Sequence, residues 1–336
     1  SGVRQNGFQE MEIISMTKHI TKYSVMLNDI DNVVYEVEKA IYLAKEGRKG
    51  PSWIDVPMDI QNSIIDPDEQ SGYIPPVNKI VPTLEDNDAA QLQNMLCNAE
   101  RPIILAGNGI RLADAVEDFK VFVDKYRIPV SYSRLGHDLI ETDSDLSIGM
   151  VGMLGASRAG NFAIQNADLV LCIGCRLSVD TTGYEYWKFA REAKIVVVDI
   201  DEQEHSKNTV HIDSFIYADA KKFFEKMNNL TPHREWKEWS AKCLHWKEHF
   251  PTCIDEYKNS DKVNMYYFTE VLSKVLPSKA TVVSDAGNTF FTVSPVIRIK
   301  EQQRSMTSGC QAEMGYALPA SIGISYLCPD AVVAVN

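Results

Sequence analysis

The chain has 336 residues, 45% of them hydrophobic and 24% charged, which is enough for a buried core and for about two domains of ~150 residues each. A net charge of −12 at pH 7 and a pI of about 5.1, with no Lys/Arg-rich run, argue against nucleic acid or an anionic membrane as the main partner. The longest apolar runs, such as residues 195–198 and 332–335, fall far short of the ~20 residues a membrane span needs.

Apolar residues at helical spacing (Val34, Val37, Ala40, Ile41, Ala44) predict a helix over 31–47, stopped by Gly47. Gly50-Pro51 then leads into a short strand at 53–57, ended by Pro57. Residues 62–82 are rich in Pro, Asp and Asn and read as a linker. From about 85 a regular alternation sets in: helix 85–98, buried strand 102–106, helix 112–126, strand 130–133, a glycine-bearing loop over 134–157, helix 158–166, strand 168–174 and strand 194–200. Four strands separated by helices or long connections predict a doubly wound parallel α/β sheet, with ligands expected just after the strand ends. Residues 226–262, with Trp236, Trp239, Trp246 and Phe250, read as an amphipathic connector helix pair whose aromatics pack. A last segment starts near 263 with a helix to 275, a strand at 280–284, a turn at 285–289, a further helix, and a buried strand at 331–335. Because the chain opens on Ser1-Gly2 and stops on that strand at Asn336, it is expected to be part of a longer protein.

The seven cysteines are odd in number and several lie in apolar runs, so they read as reduced thiols of a cytoplasmic protein. Cys172 and Cys175 have CxxC spacing, but the strand-like context and the lack of a second pair favour buried strand residues over a zinc or redox site. His19, His137, His205, His211, His233, His245 and His249 form no metal spacing and read as structural or exposed.

Gly107-Asn108-Gly109 after a strand is either half of a dinucleotide fingerprint or a plain turn. Company strengthens the first reading. Gly174 and Arg176 end another strand, where an arginine suits a phosphate; Asp199 ends a third, where a carboxylate suits a ribose; Asp219 follows. The run at 307–323, Thr-Ser-Gly-Cys-Gln-Ala-Glu-Met-Gly-Tyr-Ala-Leu-Pro-Ala-Ser-Ile-Gly, has the small residues that let backbone approach a ligand closely, or that make a tight loop entering a buried helix.

These runs taken together resemble a known family. Gly7-Phe8-Gln9-Glu10, Thr17-Lys18-His19, residues 47–51 and residues 54–57 resemble the end of the pyrimidine-binding domain of acetolactate synthases, which depend on thiamine diphosphate (ThDP). Residues 85–225 resemble the family's Rossmann-like central domain, and 263–336 resemble the start of its diphosphate-binding domain. The domain reading is therefore 1–62, a linker 63–84, 85–225, a connector 226–262, and 263–336.

The resemblance implies decarboxylation of a small 2-keto acid with ThDP as electron sink, followed by carboligation, with Mg²⁺ as second cofactor. A decarboxylase or C–C lyase, such as an oxalyl-CoA-decarboxylase-like enzyme, is the alternative within the class; a nucleotide-binding regulatory module is the alternative outside it. By motif position, Ala286, Gly287, Asn288 and Thr289 would cup the diphosphate, Gln311 and Ala312 would line the cofactor, Met314 would wedge it into its bent shape, and Phe8 and Gln9 would reach the active site. The family's activating glutamate is expected before residue 1, and its Gly-Asp-Gly…Asn metal motif just after Asn336, leaving no metal ligands in this chain. The resemblance also implies a homo-oligomer, dimer or tetramer, with active sites between subunits. The family's flavin-binding Arg-Phe-Asp-Asp-Arg and Met-His-Gly read here Arg176-Leu-Ser-Val-Asp180 and Met153-Leu154-Gly155, so tightly bound FAD is not expected and an ADP-like ligand or an empty site is.

Overall fold

The computed structural model describes residues 7, 8, 10–77, 81–327 and 330–336. The chain divides into two compact units, Ser1–Val81 and Pro82–Asn336.

In the first unit, strands β1 (Tyr23–Met26) and β2 (Ser52–Asp55) pair in parallel, with Tyr23 opposite Ser52 and Met26 opposite Asp55. The predicted helix appears as Val33–Lys45 and makes the crossover that a parallel pair requires. The strand ends at Asp55, before Pro57, whose missing N–H ends pairing.

The second unit holds two sheets. The larger comprises β3 (Pro102–Ala106), β4 (Val130–Tyr132), β5 (Ser147–Met150), β6 (Leu169–Ile173), β7 (Lys194–Asp199) and β8 (Ser214–Tyr217), in the order β5-β4-β3-β6-β7-β8. Every pairing is parallel. The strands β3 and β6 are buried at every position, as expected for near-continuous Ile/Leu/Val runs covered on both faces. The sheet has six strands rather than the four predicted. The glycine-bearing loop hides two elements: a 3₁₀ turn, Arg134–Leu139, and the edge strand β5. Predicted helix 112–126 is a short turn, Gly109–Leu112, and a helix, Val116–Tyr126, parted at Asp114, whose φ is +54°. Beneath the sheet, Phe119 and Phe122 pack on Phe224, and Phe122 also on Phe223, joining the helices Val116–Tyr126 and Ala220–Met227.

The expected connector helix pair is one full helix, Lys237–His249, and a single turn, Asp255–Lys258. Its tryptophans pack on the central domain, where the indole N–H of Trp236 donates to the Ala99 carbonyl and that of Trp239 to the Pro102 carbonyl.

The smaller sheet has the order β10-β9-β11, with β9 (Ala280–Ser284) between β10 (Arg304–Thr307) and β11 (Ala331–Val335), all parallel. The helices Met265–Val275, Asn288–Val296 and Ala317–Leu327 connect and flank it. Two sequence expectations change here. The strand β11 is mostly half-buried, and the last helix leaves Leu318, Ile322, Tyr326 and Leu327 exposed rather than buried.

Candidate cofactor site

The sheet β10-β9-β11 puts two loops side by side at the carboxyl ends of adjacent parallel strands: residues 285–287 after β9, and 308–316 after β10. In α/β sheets ligands bind at such ends. The Thr307 hydroxyl donates to the Ser284 carbonyl at 3.1 Å, holding the two strand ends in step.

Asp285 is the latch between the loops. It is 8% exposed. One carboxylate oxygen accepts the N–H of Ala286 at 2.8 Å and of Gly315 at 2.9 Å; the other accepts the N–H of Ala317 at 2.8 Å. These backbone donors, Ala317 foremost, hold its carboxyl below the usual carboxylate range. The sequence alone gives Asp285 no task, because two of its partners, Gly315 and Ala317, are far off in the chain and backbone N–H groups leave no signature.

Gly287 has φ +71° and ψ −138°, a conformation that favours glycine, and the space where a Cβ would stand is open. Glycine offers no side chain to cap the helix Asn288–Val296, and among the described residues no side chain accepts from its first-turn N–H groups. Gly287 and Asn288 are exposed, Ala286 is half-buried, and Thr289 is buried, its hydroxyl turned back onto the carbonyls of Asp285 and Ala286. Thr289 thus secures the turn from beneath while its neighbours face outward. An uncapped N-terminus beside an open glycine is chemically suited to a diphosphate.

In the second loop, Ala312 has φ +52°, a strained value for a residue with a Cβ, and Gly315 has φ +86°. The Ala312 N–H donates to the Ser308 carbonyl, and the Ser308 hydroxyl bonds the Glu313 carboxylate. Gln311 is exposed, and Met314 is 92% exposed. The structure therefore brings Ala286, Gly287, Asn288 and Thr289 next to the segment carrying Gln311, Ala312 and Met314. Phe8, in the first unit, is 91% exposed; Gln9 lies outside the described residues.

The residues singled out for a nucleotide have intramolecular tasks. The strands β3 and β6 flank the point where strand order reverses, and their loops touch backbone to backbone: a Cβ on Gly107 would stand 2.1 Å from the Gly174 carbonyl oxygen, and one on Gly109 2.5 Å from the Gly174 Cα. The Gly109 N–H donates to that same carbonyl, and Asn108 precedes the short turn Gly109–Leu112. Arg176 pairs with Glu204 at 3.1 Å, and Lys207 reaches both the Glu204 carboxylate and the Arg176 carbonyl. Burial pushes the Glu204 carboxyl up, but Lys207 and Arg176 outweigh it and hold it at about 2. Asp199 accepts the Asp201 N–H and meets His205 at 3.2 Å. Asp219 caps the helix Ala220–Met227 through the N–H groups of Lys221 and Lys222. Cys172 and Cys175 are buried free thiols, and no group of three or more potential metal-ligating side chains occurs among the described residues.

Residues 89–227 match the family described as "Thiamine pyrophosphate enzyme, central domain", and residues 285–336 match "Thiamine pyrophosphate enzyme, C-terminal TPP binding domain". The chain belongs to the thiamine pyrophosphate enzymes, and the second match begins at the Asp285 latch. Within them it is similar to acetolactate synthases: 30% identical to the chloroplastic acetolactate synthase of Arabidopsis thaliana over 98% of this chain and 49% of that protein, and 29% identical to the acetolactate synthase large subunit of Lactococcus lactis over 99% of this chain and 57% of that protein. The chain thus spans about half the length of the curated relatives it matches.

Proposed function

We propose that this chain is the cofactor-holding part of a ThDP- and Mg²⁺-dependent enzyme that decarboxylates a small 2-keto acid and transfers the remaining unit to a second keto acid, as an acetolactate synthase does. One observation carries the reading: an uncapped helix N-terminus at Gly287, open to solvent and latched by Asp285 to the Met314 loop. When bound, ThDP supplies the electron sink for decarboxylation. The chain's own part is to hold and orient. N–H groups after Gly287 would hold the diphosphate, Ala312 and Gln311 would border the ring system, and Met314 would press against it. The proposal assigns Mg²⁺ no ligand among the described residues.

The protein is proposed to work without tightly bound FAD, since Asp180 and Leu154 stand where the family's flavin motifs have arginine and histidine, and the Asp180 carboxylate is occupied by Arg134. An ADP-like ligand is not part of the proposal, because Gly107, Gly174, Arg176 and Asp199 are engaged with one another or their neighbours. The exposed apolar side chains of the helix Ala317–Leu327 support a homo-oligomer, and the free thiols support a reducing compartment such as the cytoplasm. Among the described residues no helix is long and apolar enough to cross a membrane.

The test is CO₂ release by the full-length protein across a panel of 2-keto acids, with and without ThDP and Mg²⁺. Release that depends on ThDP and forms a carboligation product is expected, from a colourless preparation of at least dimeric mass by light scattering. Release without ligation would move the assignment to a simple decarboxylase; ThDP-independent behaviour would reject it.

A further inference from the structure

The helix Asn288–Val296 carries the proposed diphosphate loop at its start and leans on the central domain through Arg134. Arg134 opens the 3₁₀ turn after β4 and is only 5% exposed. Its Nη1 donates to the Phe290 carbonyl at 2.9 Å, and its guanidinium lies 4.1 Å from the Phe290 ring centroid. Its Nη2 donates to the Leu154 carbonyl at 2.8 Å, and Nε and Nη2 each meet the Asp180 carboxylate at 3.2 Å. A guanidinium is a rigid planar fork, so these contacts fix a distance between the 154–180 region and the first turn of the helix. Burying it is tolerable only because its donors are filled and its charge is paired.

Two neighbouring contacts point the same way. Pro295 has no N–H for the Phe291 carbonyl, and Gly155, at φ +58°, sits against that carbonyl so closely that a Cβ there would stand 2.3 Å from its oxygen. Leu135, next to Arg134, packs on Gly309 of the second cofactor loop, where a Cβ would stand 2.5 Å from the leucine side chain. The Arg134–Leu135 corner therefore touches both the helix that follows the first proposed cofactor loop and the second loop itself.

We propose that Arg134 is a positioning residue for the diphosphate loop: with Asp180 and the Leu154–Gly155 turn it holds the first turn of the helix Asn288–Val296 so that the N–H groups after Gly287 keep their aim. This rests on the ThDP assignment above. Phe290 lies within a turn of the Gly287 cap, so a shift at its carbonyl moves those donors directly.

The experiment compares Arg134→Met, which removes the charge, Arg134→Lys, which keeps charge but loses the fork, and Phe223→Leu, a destabilising core control far from the loops, all in the full-length protein. Calorimetric titration with ThDP and Mg²⁺ should give a Kd weakened about tenfold in Arg134→Met and less in Arg134→Lys. Saturating ThDP should recover most of kcat, and Phe223→Leu should bind as the parent does. A parental Kd in Arg134→Met, or an equal loss in the control, overturns the proposal. Hydrogen exchange without ThDP separates this idea from the functional one: amides of the helix Asn288–Val296 should exchange faster in Arg134→Met than in Phe223→Leu. If the parent binds no ThDP, the functional assignment fails, and equal exchange in the two variants then sinks the clamp as well.

Discussion

Met314 and Asp285 have opposite situations in one loop. Met314 is 92% exposed, so its side chain contributes almost nothing to folding. Met314→Ala should leave the melting temperature and the Kd for ThDP close to the parent's while lowering turnover; unchanged turnover at saturating ThDP would reject the wedge role. The Asp285 carboxylate is consumed by the fold, accepting from three backbone N–H groups. Its depressed carboxyl gives a stabilisation present above the ordinary aspartate value, ~3.9, and lost only as pH falls through the lower folded value. The expectation for Met314 comes from its motif position alone. The Asp285 task was not legible, because its donors are anonymous in sequence.

The glycines in the loops after β3 and β6 have a packing task of their own. Glycines at strand ends suit a phosphate, yet here Gly107, Gly109 and Gly174 are needed because two backbones touch. Gly107→Ala should cost about 3 kcal/mol, the upper range for overpacking, since the obstacle is the Gly174 backbone rather than a movable side chain. A denaturant melt with parental stability would show the contact is looser than described. The strands β3, β6 and β7 were legible as long apolar runs because they are buried on both faces. The edge strands β5 and β8 were not: Ser147–Met150 is interrupted by a glycine, and the short run Phe215-Ile216-Tyr217 of Ser214–Tyr217 ends on an exposed tyrosine, so neither has the long apolar run of a central strand. The Arg134–Leu139 turn was hidden for a related reason. Its charged residues look like a solvated loop, and only their partners on the smaller sheet's helix and strand reveal why they are buried.

That turn also sets how the second unit responds to acid, because it forms the seam between its two sheets. Asp138 takes Arg111 at 2.9 Å from one side and Arg304 at 2.5 Å from the other. Beside it, His137 is 3% exposed and stacks near Tyr132 at 5.4 Å. Burial drives its pKa down to about 4, against the smaller upward pull of Asp138 and the Ile297 backbone. The imidazole is therefore neutral in the folded protein at pH 7, whereas an unfolded histidine titrates near ~6.5. Between those values the unfolded chain holds a proton that the folded chain does not. Stability is accordingly full above ~6.5 and falls as pH drops towards the folded value, by about 3 kcal/mol over the whole window for this one group. Carboxylates add their own losses lower in the range, so the decisive interval is pH ~6.5 to ~5, above most of their titration. There the parent's denaturation midpoint should decline with falling pH and that of His137→Gln should stay nearly flat, whatever its absolute stability. Amides of Ile297 and Ile299, on the far side of the seam, should lose exchange protection in the parent before those of Val170 in the central strand β6. Parallel curves for parent and variant would place the acid sensitivity elsewhere and leave His137 as packing alone.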